Sequence, residues 1–286
     1  MNLKNRWFLL LAGLLSVMLV FAAACGGGDD EPTDGDTPVP TDTEPSGGGQ
    51  APADQQKISI SQPEPEFLDP HKSNFEQDIG VERMIFRGLY NQTDDGSGGV
   101  KIVPGMAAGE PTVSGSVYTV KLNPDVKWSD GVAVKAADFV YGITRACDPA
   151  VASPYQYLLG EGLGYLTGCD ALTKNEDPAQ TEALKAALGV KAIDDTTLEV
   201  TLDQPIPTFT TIFSLWATFP ARQDVIEANG DAWTQPANIV TNGPFTISEL
   251  VPADHLTLIP NPEWMDEQMV AAALRGSHVL LPLGRC

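Results

Sequence analysis

The sequence predicts a mixed α and β fold rather than a parallel doubly wound sheet, on three observations. Short stretches alternate apolar and polar residues, others carry apolar residues three and four apart, and the two kinds do not follow one another in strict β-α order. Taken along the chain, Lys57 to Ser61 alternates with Ile58 and Ile60 on one face and reads as a half-buried strand. Ile79, Ile85, Phe86 and Leu89 suggest a helix, and Val117 to Leu122 alternates again. In 126–149 a strand ends at Trp128, Ser129-Asp130-Gly131 makes a turn, and a helix starts near Ala136. Asp138 sits in its first turn, where the dipole favours an anion, and Phe139, Val140 and Ile143 dock it. Thr181 to Leu188 and Arg222 to Asn229 read as helices, with Gly189 and Gly230 as left-handed stops. Between them, Asp194-Asp195 turns a hairpin joining 190–193 to 197–202, because Asp bonds its own backbone in turns. Phe209, Ile212, Phe213 and Trp216 suggest a further helix, and Phe245 to Leu250 and His255 to Ile259 two last strands.

Charge narrows the function. The chain has 286 residues, 17 Lys plus Arg against 38 Asp plus Glu, and a formal net charge of −21. Its cations are scattered singly, whereas binding a phosphate backbone needs them clustered, so nucleic acid is excluded as a partner. Of the histidines at 71, 255 and 278, none lies at a metal-ligand spacing, and no metal or cofactor is expected. Phosphate loops of the GxxxxGK[ST] kind, HExxH and GxSxG are absent. The carboxylate pairs Glu64/Glu66 and Asp94/Asp95 lie on turn-rich segments where solvation is the ordinary explanation, and no enzyme is expected.

The first 24 residues read as a targeting signal: Lys4 and Arg6, an apolar run from Trp7 to Phe21, then Ala22 to Ala24 before Cys25. A single membrane span is the alternative. Small residues running into a Cys resemble the lipobox of bacterial lipoproteins, which implies lipidation of Cys25 and a protein held at the outer face of the cytoplasmic membrane or in the periplasm. Residues 25–56 are acidic, rich in Gly, Pro and Thr, and form a disordered tether reaching roughly 30 Å. In an exported domain Cys147 and Cys169 favour a disulfide, two buried thiols being the alternative, while Cys286 has no evident partner.

The segment VKWSDGVAVKAADFVYGITRACDP (126–149) closely resembles the signature of the extracellular solute-binding proteins of ABC importers, family 5, which carry oligopeptides, dipeptides and nickel. LDPHKSNFEQDIGVERMIFRGLY (68–90), SPYQYLL (153–159), VKAIDDTTLEVTLDQPIPTF (190–209) and the block 233–264 resemble it in the same order, the last closest to peptide binders. The resemblance implies that 57–265 is most of the first lobe of a two-lobed clamp, a monomer that delivers its ligand to permease subunits. It implies an extended oligopeptide paired by strand addition with the backbone of Ser73, Asn74, Phe75 and Glu76. Tyr155 would line the pocket, with Asn242, Gly243 and Phe245 near the cleft, whereas Trp128, Asp130, Gly131 and Asp138 belong to the fold. Nickel or another solute, or a single-lobe surface scaffold, are the rival readings. The family continues past Trp264 into a second lobe, and 266–286 does not resemble that continuation, so the second lobe is expected to be largely missing and 266–286 a non-family tail from a frame shift or premature stop. A one-sided surface is expected to bind peptide weakly, and the net acidity to favour cationic peptides.

Overall fold

The computed structural model describes residues 57–264 and 278–284. The expected leader (1–24), Cys25, the tether (25–56), Cys286 and the stretch 265–277 lie outside them. In chain order the main elements are β1 (Lys57–Ser59), β2 (Gln62–Pro63), α1 (Glu76–Ile85), β3 (Tyr90–Asp94), β4 (Val100–Pro104), β5 (Thr112–Ser114) and β6 (Val117–Lys121). There follow α2 (Ala136–Cys147), α3 (Cys169–Thr173), α4 (Thr181–Ala186), β7 (Val190–Asp194), β8 (Thr197–Thr201), α5 (Phe209–Ile212), α6 (Gln223–Asn229), β9 (Phe245–Val251), β10 (His255–Pro260) and β11 (His278–Gly284).

Three sheets result. One runs β1-β11-β10-β9 with β2 beside β11, one is the β3-β4 hairpin, and one runs β5-β6-β8-β7. The first is mixed, since β11 lies parallel to β1 and antiparallel to β10. The stretch 278–284, set apart from the lobe in the sequence as part of a tail, is therefore a strand inside the lobe's own sheet. Its backbone fills the gap between β1 and β10, which would otherwise each present an open edge. The third sheet is antiparallel throughout, and α2 packs on β7 and β8, with its Phe139 and Ile143 fully buried.

The 126–149 signature folds as its residues dictate. Gly131 has φ +84 and its N–H closes the turn on the Trp128 carbonyl at 2.9 Å. The Asp138 carboxylate accepts from the Lys135 N–H at 2.9 Å and from the buried Trp128 indole at 2.9 Å, tying strand, turn and helix together. Arg222 pairs with Asp130 at 2.9 Å over the same indole. The 194–195 hairpin also forms, with Asp194 accepting from the Thr196 N–H at 2.8 Å.

Two readings change, and one hairpin is not read from the sequence at all. Gly189 is not in the left-handed region; a side chain there would put Cβ 2.3 Å from the Thr201 carbonyl, so close packing requires the glycine. The helix expected through Trp216 stops at Ile212, because Ser214 turns its N–H (3.2 Å) and hydroxyl (2.7 Å) back onto the Thr211 carbonyl. Strands β3 and β4 carry little period-two apolar pattern and were not legible, since their hairpin is fixed by Asp94 and Asp95 accepting turn amides.

Cys147 and Cys169 form a disulfide between buried positions 22 residues apart. Replacing both by alanine is expected to cost about 3 kcal/mol and to lower the melting temperature by about 6–12 °C. An unchanged melting temperature in thermal unfolding would count against that contribution.

Candidate functional site

The LDPHKSNF segment is fixed from below by a buried polar knot. Arg145 donates to both Asp69 oxygens, at 3.1 and 2.8 Å, and the His71 ring bridges Arg145 to the Phe219 carbonyl at 3.2 Å. Ser73 is buried as well; its hydroxyl donates to the Asp69 carbonyl at 2.8 Å and also contacts the Glu82 carboxyl. A hydroxyl has one proton to give, so the Ser73–Glu82 contact needs Glu82 as the donor, in its acid form. Burial first, and then the nearby Asp69 and Asp78 charges, push the Glu82 carboxyl well above the usual carboxylate range.

Such a group contributes stability below its unfolded pKa and loses it as pH rises. Glu82→Gln keeps a donor toward Ser73 and removes the ionisation. Its melting temperature is expected to match wild type near pH 4 and exceed it at pH 8, the gap widening by up to about 1.4 kcal/mol per pH unit until folded Glu82 titrates. A gap independent of pH would contradict the acid form.

Above the knot the chain surfaces. Asp78, in the first turn of α1 and fully buried, accepts from the N–H of Asn74 and of Phe75 at 3.4 Å and from the Glu66 N–H at 2.8 Å. Phe75 is thereby held extended (φ −112, ψ 155) before the helix, and Asn74, Phe75 and Glu76 are exposed. The Tyr155 hydroxyl donates to the Asn74 carbonyl at 3.2 Å, and its ring meets Trp216 edge-on at 4.9 Å. The Arg83 guanidinium lies 5.5 Å over Trp216, and Arg87, just past the end of α1, lies 5.8 Å over Trp264. Burial, together with the Arg83 charge, pulls Arg87 down to about 10.

At the far end of α1, Asn242 grips residue 87 twice. The Arg87 N–H donates to its Oδ1 at 3.1 Å, and its Nδ2 donates to the Arg87 carbonyl at 2.9 Å. Gly243 donates to the Ile85 carbonyl at 2.8 Å; a Cβ there would lie 2.6 Å from the Ile85 carbonyl carbon. Phe245 is a core residue, 6% exposed.

Of the eight residues singled out in the sequence, Asn74, Phe75, Glu76 and Tyr155 thus share one surface, with Ser73 directly beneath. Asn242 and Gly243 hold the other end of the same helix, and Phe245 sits in the core. Sequence reasoning missed Arg83, Arg87, Trp216 and Trp264. The available signal was two arginines four positions apart in an acid-rich chain with no acidic residue spaced to pair with either on a shared helix face. Among the described residues no group of three His, Cys, Asp or Glu is placed to hold a metal.

The family model described as bacterial extracellular solute-binding proteins, family 5 Middle, matches residues 101–274. The chain is 39% identical over 201 residues to the periplasmic oligopeptide-binding protein OppA of Escherichia coli K12, covering 70% of this chain and 35% of that one. It is 36% identical over 206 residues to the probable deoxycholate-binding periplasmic protein YgiS of the same organism, covering 72% and 36%. The solved structure of Listeria monocytogenes OppA bound to peptide superposes with a TM-score of 0.69 at 28% identity, covering 80% of this chain and 42% of that one. The chain therefore spans about two-fifths or less of the length of these relatives.

Proposed function

The chain belongs to the family 5 bacterial extracellular solute-binding proteins, and from that premise we propose that it captures oligopeptides for an ABC importer. Capture is by strand addition against Asn74, Phe75 and Glu76, with Tyr155 beside them. The protein is exported, anchored through lipidated Cys25 on the 25–56 tether, works as a monomer and hands its ligand to permease subunits. The observation that carries this reading is the exposed Asn74–Phe75 segment, with Phe75 extended just before α1, its amides pinned by Asp78 and its flank closed by Tyr155 and Trp216. A segment already ordered in the free protein lowers the ordering cost of pairing a peptide main chain.

The Asn74–Glu76 segment is solvent-exposed, so main-chain pairing there stays wet and affinity is expected near millimolar, about −4 kcal/mol. Titrating a neutral tetrapeptide amide into isotopically labelled protein is expected to shift the Asn74, Phe75 and Glu76 amide signals. Silence of those amides at saturating peptide would sink the proposal. The likeness to a probable deoxycholate binder supports a second reading, capture of an amphipathic carboxylate. It predicts a response to deoxycholate at Tyr155 and Trp216 without one at the 74–76 amides.

A further inference from the structure

We propose that the face formed by Arg83, Arg87, Trp216 and Trp264 binds a carboxylate of the peptide ligand. The inference rests on the peptide-capture reading and adds which peptides the site prefers.

Its first support is a charge anomaly. The chain carries 38 acidic residues against 17 basic ones, yet neither Arg83 nor Arg87 forms an ion pair among the described residues. The other two described arginines are paired: Arg145 with Asp69 at 2.8 Å, and Arg222 with Asp130 and Asp224 at 2.9 and 2.6 Å. Arg83 lies in the last turn of α1 and Arg87 two residues past its end, close enough for the Arg83 charge to act on Arg87. Burial lowers the pKa of both, so each has given up hydration without gaining a counter-charge.

The second support is independent of charge. Arg87 Nε, Trp216 Nε1 and Trp264 Nε1 are all buried with no hydrogen-bond partner among the described residues. All three are donors and none can accept, so the complement they lack is an acceptor. Leaving such groups unsatisfied costs about 1–3 kcal/mol each, which an incoming acceptor recovers. Arg87 spends Nη1 on the Arg83 carbonyl, fixing the guanidinium so that its Nε edge stays free. Each guanidinium lies within cation–π reach of an indole ring, which orients a fork suited to a planar carboxylate.

Position fixes the ligand group. Trp216 touches Tyr155, which touches Asn74, so the cationic face is continuous with the peptide-pairing segment. The ten residues of α1 rise about 15 Å from that segment to the helix's C-terminal end, equal to about four or five extended peptide residues, with Arg87 two residues beyond it. The carboxylate is therefore the C-terminus of a tetra- or pentapeptide or an acidic side chain at that distance. The local preference runs opposite to the cationic one expected from net charge, because a desolvated pair of arginines outweighs a screened surface field.

The test is nuclear magnetic resonance of the labelled chain titrated with tetra-alanine free acid, tetra-alanine amide, and an alanine tetrapeptide amide with glutamate at the third position. The indole N–H signals of Trp216 and Trp264 are expected to shift saturably with at least one acidic peptide, at least about tenfold more tightly than with the neutral amide. Response to the free acid alone assigns the C-terminus, and response to the glutamate peptide assigns a side chain. The double variant Arg83→Gln, Arg87→Gln is expected to lose the preference; the acid-against-amide comparison on wild type stands even if that variant fails to fold. Equal response to all three peptides, or no indole response to either acid, overturns the inference. Should the 74–76 amides respond while the indoles stay silent, peptide capture survives and only the carboxylate site falls; silence of both removes both.

Discussion

Arg145→Met is expected to destabilise the protein by about 3–5 kcal/mol at pH 7, a large share of an ordinary domain's stability. Asp69 is 4% exposed, and its carboxylate is held by Arg145 through two hydrogen bonds, with the Trp233 indole at 3.4 Å. Burial on its own raises this carboxyl, but hydrogen bonds from the His71 backbone N–H and the Arg145 guanidinium, with the Arg145 charge, outweigh it and hold the group well below the usual range. Methionine keeps most of the side-chain volume and deletes the counter-charge, leaving an unpaired carboxylate in the core.

The pH profile separates this cause from a packing defect. In wild type the depressed Asp69 contributes stability above the ordinary carboxylate range and loses it as pH falls. His71 acts earlier. Arg145 can only donate, so His71 Nδ1 at 3.0 Å is an acceptor and Nε2–H donates to Phe219, which makes the ring neutral. Burial pushes its pKa down. A histidine so lowered gives its full stability above about pH 6.5 and loses it below, at up to about 1.4 kcal/mol per pH unit. Wild type is therefore expected to weaken on acidification from pH 6.5, and His71→Gln to flatten the upper part of that slope. In Arg145→Met, acidification to pH 4–5 instead neutralises the stranded Asp69, so the deficit against wild type shrinks. Adding Asp69→Asn should recover part of the loss at pH 7. Thermal melts running parallel for wild type and Arg145→Met from pH 4 to 8 would refute the electrostatic account.

Trp128→Ala is expected to cost about 3–5 kcal/mol, because the ring is 0% exposed and lies under the turn that joins strand to α2. Trp128→Phe keeps most of the apolar volume and removes only the indole N–H. It leaves Asp138, whose carboxyl is already raised by burial despite its hydrogen bonds, with one donor fewer, at a cost of about 1–3 kcal/mol. Equal melting temperatures for the two variants would mean that the Trp128–Asp138 hydrogen bond carries the effect and the ring volume does not.

Local chemistry was legible wherever a residue's role is set by its near neighbours. The helix start at Ala136, the turn at Gly131, the 194–195 hairpin and the Phe245 and His255 strands all follow from periodicity and turn residues a few positions apart. The order of motifs likewise sufficed to place the chain in its family. The candidate site was legible only in part: Asn74, Phe75, Glu76 and Tyr155 share a surface, but Ser73 and Asn242 turn inward to satisfy partners 9 and 155 positions away.

What the sequence by itself determined is the fold class, most element positions and the kinship, because these rest on short-range pattern. Only the tertiary structure decided that 278–284 joins the sheet between β1 and β10, that Gly189 is needed for space, and that Arg83 and Arg87 lie unpaired against Trp216 and Trp264. Each of these depends on contacts between residues distant in the chain. A one-dimensional pattern fixes which face of an element is apolar; it does not fix which other element that face, or an isolated charge upon it, will meet.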